Sequence, residues 1–160
     1  MDTIPILTTL DRNYLPQLQV LLCSLHVNNP ADNFSLWLLH SDIEEKEFSG
    51  LRSQCERYGY SFFPVQYPNK EMYYRLLAPF LLPGEIKRIL YLDPDILVIN
   101  PLRPLWETDM EGRLFAAAAH TGKTELLNSV NKLRVGPGQA SYNSGVLLMA
   151  LKAGRQDISP

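Results

Sequence analysis

The sequence predicts an α/β layer fold with a mostly parallel sheet, and three observations carry that prediction. Short apolar and β-branched runs alternate along most of the chain with segments whose apolar residues recur at helical spacing. The runs are apolar throughout rather than on every second residue, as strands covered on both faces require. Asn29-Pro30, Gly59, Pro83-Gly84 and Asn100-Pro101 punctuate the alternation with turn formers. In such a fold ligands bind beyond the carboxyl ends of the strands.

Taken in order, Ile4–Thr9 reads as a first buried strand. After the polar break Asp11-Arg12-Asn13, the spacing of Leu15, Leu18, Leu22 and Leu25 predicts a helix to about Val27, with Pro16 tolerable in its first turn. Phe34–His40 is the second strand. Asp42 and Glu45 have the spacing of a capping box, and Phe48, Leu51, Cys55 and Tyr58 mark one face of a helix that Gly59 stops. Residues 60–65 form a third strand, and residues 72–82 a helix that Pro79 and Pro83 bend or end. Residues 88–92 run as an apolar strand into Asp93-Pro94-Asp95, and residues 96–99 resume extended character. Residues 114–119 and Tyr142–Met149 read as two more buried strands. A helix over residues 125–133 and a Gly136-Pro137-Gly138 loop separate them. The 160 residues suffice for one core, so residues 1–160 are read as a single domain.

Charge excludes some functions. Fifteen Lys plus Arg stand against seventeen Asp plus Glu, so no field draws in nucleic acid or an anionic membrane. No apolar run has the length of a membrane span, and the N-terminus lacks a basic flank followed by an apolar stretch. No transmembrane segment and no cleaved signal are therefore expected. Cys23 and Cys55 each fall on the apolar stripe of a predicted helix, where a thiol acts as a small hydrophobe, and the reading is a reducing compartment.

Asp93-Pro94-Asp95 places two carboxylates between two apolar stretches at the end of a central strand. In extended geometry, side chains two residues apart point the same way, so the two charges repel unless a cation neutralises them. Mg²⁺ or Mn²⁺ suits such a site, being held by one or two carboxylates plus substrate phosphate oxygens. Pro94 stiffens the pair. The competing reading is a turn that caps the strand, since Asp and Pro both favour turns.

Other candidates lie near the same sheet edge. Thr8 to Tyr14 follows the first strand, where Asp11 and Asn13 can hydrogen-bond a base edge and Tyr14 offers a stacking face, or where Asp11 or Asn13 simply caps a helix. Arg75 is the lone cation of an apolar helix and either reaches a diphosphate, holds an aspartate or snorkels to solvent. Asn143 precedes Gly145 at the start of an apolar strand, as a ligand contact or a turn residue. His26, His40 and His120 have no metal-cluster spacing.

Four segments in order, Thr8 to Tyr14, Tyr73-Tyr74-Arg75-Leu76, Leu90 to Val98 and Tyr142 to Met149, resemble glycosyltransferase family 8. The resemblance implies the GT-A fold, a Rossmann-like nucleotide-binding sheet, and retaining transfer of a hexose from a UDP-sugar, UDP-galactose or UDP-glucose. Glycan, lipopolysaccharide or protein-linked sugar would be the acceptor. It implies that Asp93 and Asp95 ligate Mn²⁺ on the UDP diphosphate. Asp11, Asn13 and Tyr14 would hold the uracil, Arg75 would contact the donor, and Asn143 would lie near the sugar hydroxyls. No enzyme nucleophile is implied. Two departures stand out: His120 occupies roughly the place of a family aspartate, and the chain ends at Pro160 before the family's C-terminal histidine ligand. An incomplete metal site, weak UDP-sugar binding and poor transfer are then expected. Localisation is read as cytoplasmic, with peripheral membrane attachment through further C-terminal residues as a variant. A UDP-sugar-binding fragment without activity is the alternative, and a haloacid dehalogenase-type phosphatase a lesser one, because Ile96 and Leu97 follow the second aspartate where that family has Thr and often Gly.

Overall fold

A computed structural model describes residues 2–67, 74–119 and 142–157. The chain runs β1 (Ile4–Thr9), α1 (Leu15–Asn28), β2 (Phe34–His40), α2 (Ser49–Tyr58), β3 (Ser61–Gln66), α3 (Ala78–Leu81), β4 (Ile89–Leu92), α4 (Arg103–Trp106), β5 (Phe115–Ala119), β6 (Tyr142–Met149) and α5 (Leu151–Asp157). Short 3₁₀ turns at Arg12–Tyr14, Glu45–Phe48 and Tyr74–Leu77 lead into α1, α2 and α3.

The strands form one six-stranded sheet in the order β3-β2-β1-β4-β6-β5. β1 pairs in parallel with β2 and β4, and β2 with β3. β6 runs antiparallel between β4 and β5. The expected mostly parallel α/β sheet is present, with one reversed strand that an apolar run cannot announce, since it reads alike in either direction.

Both faces of the central sheet are covered, which is why β1, β2 and β4 read as mainly apolar runs rather than alternating ones. On one face Ile4, Ile6, Leu90 and Leu92 pack with Leu18, Leu22 and Leu25 of α1 and Leu51 and Cys55 of α2. On the other, Leu7, Ile89 and Tyr91 pack with Ala78 of α3 and Leu151 of α5. α2 ends where Gly59 turns left-handed (φ 73°) and donates its N–H to Cys55 and Glu56. Pro64 lies in β3, an edge strand, where a missing donor is tolerable.

Several sequence expectations are corrected. The capping box forms at Glu44 and Glu47, not at Asp42 and Glu45. Cys55 is buried but Cys23 is exposed, on the outer side of α1. Residues 96–99 adopt no strand, with Leu97 and Ile99 open to solvent. Of the helix expected over residues 72–82, the described part from Tyr74 is a 3₁₀ turn followed by one α-turn, and residues 72 and 73 lie outside the described residues. β5 is an edge strand and only half covered, with Phe115 exposed. α5 was not foreseen. The expected helix at 125–133, the loop at 136–138 and His120 lie outside the described residues. Among the described residues no helix is long and apolar enough to cross a membrane.

Candidate functional site

The strand order reverses between β1 and β4: from β1 the chain builds outward to β3, then returns to the opposite side of β1. The carboxyl ends of β1 and β4 flank this switch point, where open α/β sheets leave a crevice. Asp93 follows the last residue of β4. Because β6 runs the other way, its first residues reach the same edge, and the Asp93 N–H donates to the Gly145 carbonyl at 2.8 Å. Residues 93, 143, 144 and 145, far apart in sequence, are thereby gathered.

Asp93 continues the alternation of β4, so its side chain lies on the face of Ile89 and Tyr91. The Tyr91 hydroxyl donates to Asp93 Oδ1 at 2.5 Å and lies 3.2 Å from Thr9 Oγ1. Burial pushes the Tyr91 phenol up to about 12, helped by its bond to the Asp93 carboxylate, so it remains a proton donor at neutral pH. Arg75 approaches Asp93 Oδ1 at 3.7 Å, donates to the Ser144 carbonyl at 2.9 Å and stacks over the Tyr91 ring. Oδ2 accepts no hydrogen bond from the described residues and lies against Gly145, where an added Cβ would come within 2.8 Å of it.

The aspartate pair does not adopt the extended geometry expected of it. Pro94 and Asp95 form a turn, closed by Ile96 N–H to Asp93 carbonyl at 3.4 Å. Asp93 is half-buried, Pro94 buried and Asp95 exposed. Repulsion within the pair is also relieved partly by Arg75, so the pairing alone does not demand a metal. The donor set nonetheless suits a hard divalent ion. Asp93 Oδ2 and the Asp95 carboxylate are oxygen atoms left without protein partners among the described residues, the atom type such an ion prefers. Among the described residues no group of three or more His, Cys, Asp or Glu could hold a metal, so these two would depend on further ligands from substrate or water.

The remaining expected residues divide. Asp11 accepts the Asn13 N–H at 2.8 Å and caps the 3₁₀ turn, the structural alternative considered for it. Asn13 and Tyr14 stand exposed at the end of β1, on the site edge. Asn143 is exposed and accepts the Gly145 N–H at 2.8 Å, fixing the entry to β6. Thr8 is wholly buried on the α1 face, and its hydroxyl has no partner there. Thr9, one residue on and on the opposite face, is the threonine that reaches the cluster. Thr9 and Tyr91 were not singled out from sequence. The signal was available: a tyrosine two residues before an aspartate on a strand shares its face, and a buried phenol needs a partner.

Residues 5–158 match the model of the family described as Glycosyl transferase family 8. The chain belongs to glycosyl transferase family 8. Among its relatives, General stress protein A of Bacillus subtilis is 33% identical over 54% of this chain and 30% of its own length. Probable galacturonosyltransferase-like 4 of Arabidopsis thaliana is 25% identical over 97% of this chain and 52% of its own. A crystal structure of galactosyltransferase LgtC, in complex with donor and acceptor sugar analogs, superposes with TM-score 0.79 at 25% identity. That match covers 97% of this chain and 60% of the other. The chain thus spans about half or less of the curated relatives' length, and the GT-A fold of family 8 accounts for its sheet.

Proposed function

We propose that this chain forms the donor-binding part of a retaining hexosyltransferase, moving galactose or glucose from a UDP-sugar to a glycan or lipopolysaccharide acceptor. One observation carries the reading: the carboxylates of Asp93 and Asp95 stand at the switch point between β1 and β4, with the Oδ1 side of Asp93 tied to Tyr91 and Arg75 and the Oδ2 side without a partner. Family membership and the likeness to a galactosyltransferase bound to donor and acceptor sugar analogs support it.

In this reading Asp93 Oδ2 and Asp95 hold Mn²⁺ or Mg²⁺ together with the diphosphate. Bound there, the ion supplies neutralisation of the charge that develops as the diphosphate departs. Arg75 keeps Asp93 oriented and adds positive charge on the donor side. Tyr14 stacks on the uracil while Asp11 and Asn13 meet its edge. Asn143 meets the sugar hydroxyls. Thr8, being wholly buried, is left out of the contact set.

Calorimetry with UDP, UDP-galactose and UDP-glucose, with and without Mn²⁺, tests the proposal. Manganese-assisted binding is expected for the natural chain, and its loss in the double variant Asp93→Asn, Asp95→Asn. Unchanged manganese assistance in that variant would sink the reading. Binding without any sugar transfer would favour the alternative, a UDP-sugar-binding module.

A further inference from the structure

We infer that Ser24 and Asn28 of α1 are positioning residues for Asp95, acting by clasping the chain three residues downstream of it. The inference rests on the proposed role of Asp93 and Asp95 in holding a divalent cation.

Residues 96–99 have no strand partner, yet Val98 is buried, so its backbone polar groups need bonds from elsewhere. Side chains of α1 supply both. Ser24 Oγ accepts the Val98 N–H at 3.0 Å, and Asn28 Nδ2 donates to the Val98 carbonyl at 2.8 Å. Neither group is free to turn away. The Ser24 hydroxyl proton is committed to the Leu21 carbonyl at 2.8 Å, which leaves a lone pair facing Val98. The Asn28 amide donates also to the Ser24 carbonyl at 3.0 Å. One residue on, Asn29 Oδ1 accepts the Leu102 N–H at 2.6 Å and extends the clasp.

The aspartate turn therefore hangs between two fixed points: the bond from Asp93 N–H to Gly145 upstream and the double bond pair at Val98 downstream. Asp95 lies between them, exposed and without a side-chain partner among the described residues, so the backbone there sets the point from which its carboxylate is presented. An ion that demands near-octahedral geometry tolerates little displacement of a ligand. Ser24 is buried on the core side of α1, where Ala would favour the helix more, and the contact with Val98 gives the hydroxyl its use.

The test uses the full chain with UDP and MnCl₂. Ser24→Ala and Asn28→Ala are expected to raise the Mn²⁺ concentration that half-saturates UDP binding by about 10- to 100-fold, the usual cost of removing a group that orients a ligand. UDP affinity in EDTA stays as in the natural chain, and Ser24→Thr, which keeps the hydroxyl, restores the manganese response. Variants that lose thermal stability but keep the natural manganese dependence overturn the inference, leaving the clasp purely structural. A natural chain that shows no manganese assistance at all overturns the proposed function and this inference with it, so the two failures are distinguishable.

Discussion

At the scale of single residues, the aspartate pair, Arg75 and Asn143 were legible, and the hydroxyls of Tyr91 and Thr9 beside them were not. Asp93-Pro94-Asp95 is conspicuous because charge at the end of an apolar strand is rare, whereas Tyr91 and Thr9 look like ordinary strand residues until the sheet sets them side by side. Tyr91→Phe removes a hydrogen bond to a carboxylate while keeping the ring under Arg75. Bonds to charged groups are worth about 1.5–3 kcal/mol, so manganese-assisted UDP binding should weaken by roughly 10-fold or more, read by calorimetry. An unaltered affinity would show the hydroxyl to be idle. A second residue governs acid stability. His40 is buried, accepts the Ile43 N–H, and has its pKa lowered from 6.5 by that burial despite the opposing charges of Asp42 and Glu45. The folded state then binds fewer protons than the unfolded state, so this contribution is complete above pH 6.5 and is lost as pH falls toward the folded pKa. Urea midpoints should drop between pH 7.5 and 5, and His40→Gln should flatten that slope.

Elements were legible in proportion to their length. α1 and α2 carry enough turns to show a stripe, and Leu18, Leu22, Leu25, Leu51 and Cys55 are buried as their spacing implies. α3 and α4, of four residues each, and α5, of seven, have too few turns for a period to emerge. Polar bonds add to the apolar contacts that hold such short pieces. Arg155 of α5 donates to the carbonyls of Pro79, Leu82, Pro83, Gly84 and Ile86, docking the last helix onto the bend between α3 and β4. Arg155→Ala strands several half-buried acceptors and should lower stability by about 3 kcal/mol, measured by denaturant unfolding. Lys in its place should recover little, since an ammonium lacks the planar fork that spans this set.

For the whole molecule, the layer class followed from the alternation of runs, but the strand order did not, because sequence separation says nothing about which side of β1 the returning strand takes. That choice creates the switch point, and with it the prediction that ligand and fold are coupled. With Mn²⁺ present and UDP at about 100 times its dissociation constant, UDP binding adds about 2.7 kcal/mol, a rise of several degrees in melting temperature. Chelation with EDTA should erase the manganese-dependent part of that rise, and a melting curve indifferent to the metal would count against the site.

The reversed direction of β6 has an evolutionary corollary. Ala119 and Tyr142 are paired neighbours at the rim that carries Asp93, so the stretch joining them starts and finishes beside one another. Lengthening a connection between such paired ends adds only a slowly growing closure entropy, about 0.6 kcal/mol per doubling. The architecture thus offers a graft point where new selectivity can be written at the rim beside Asp93 while the paired strands beneath keep their register.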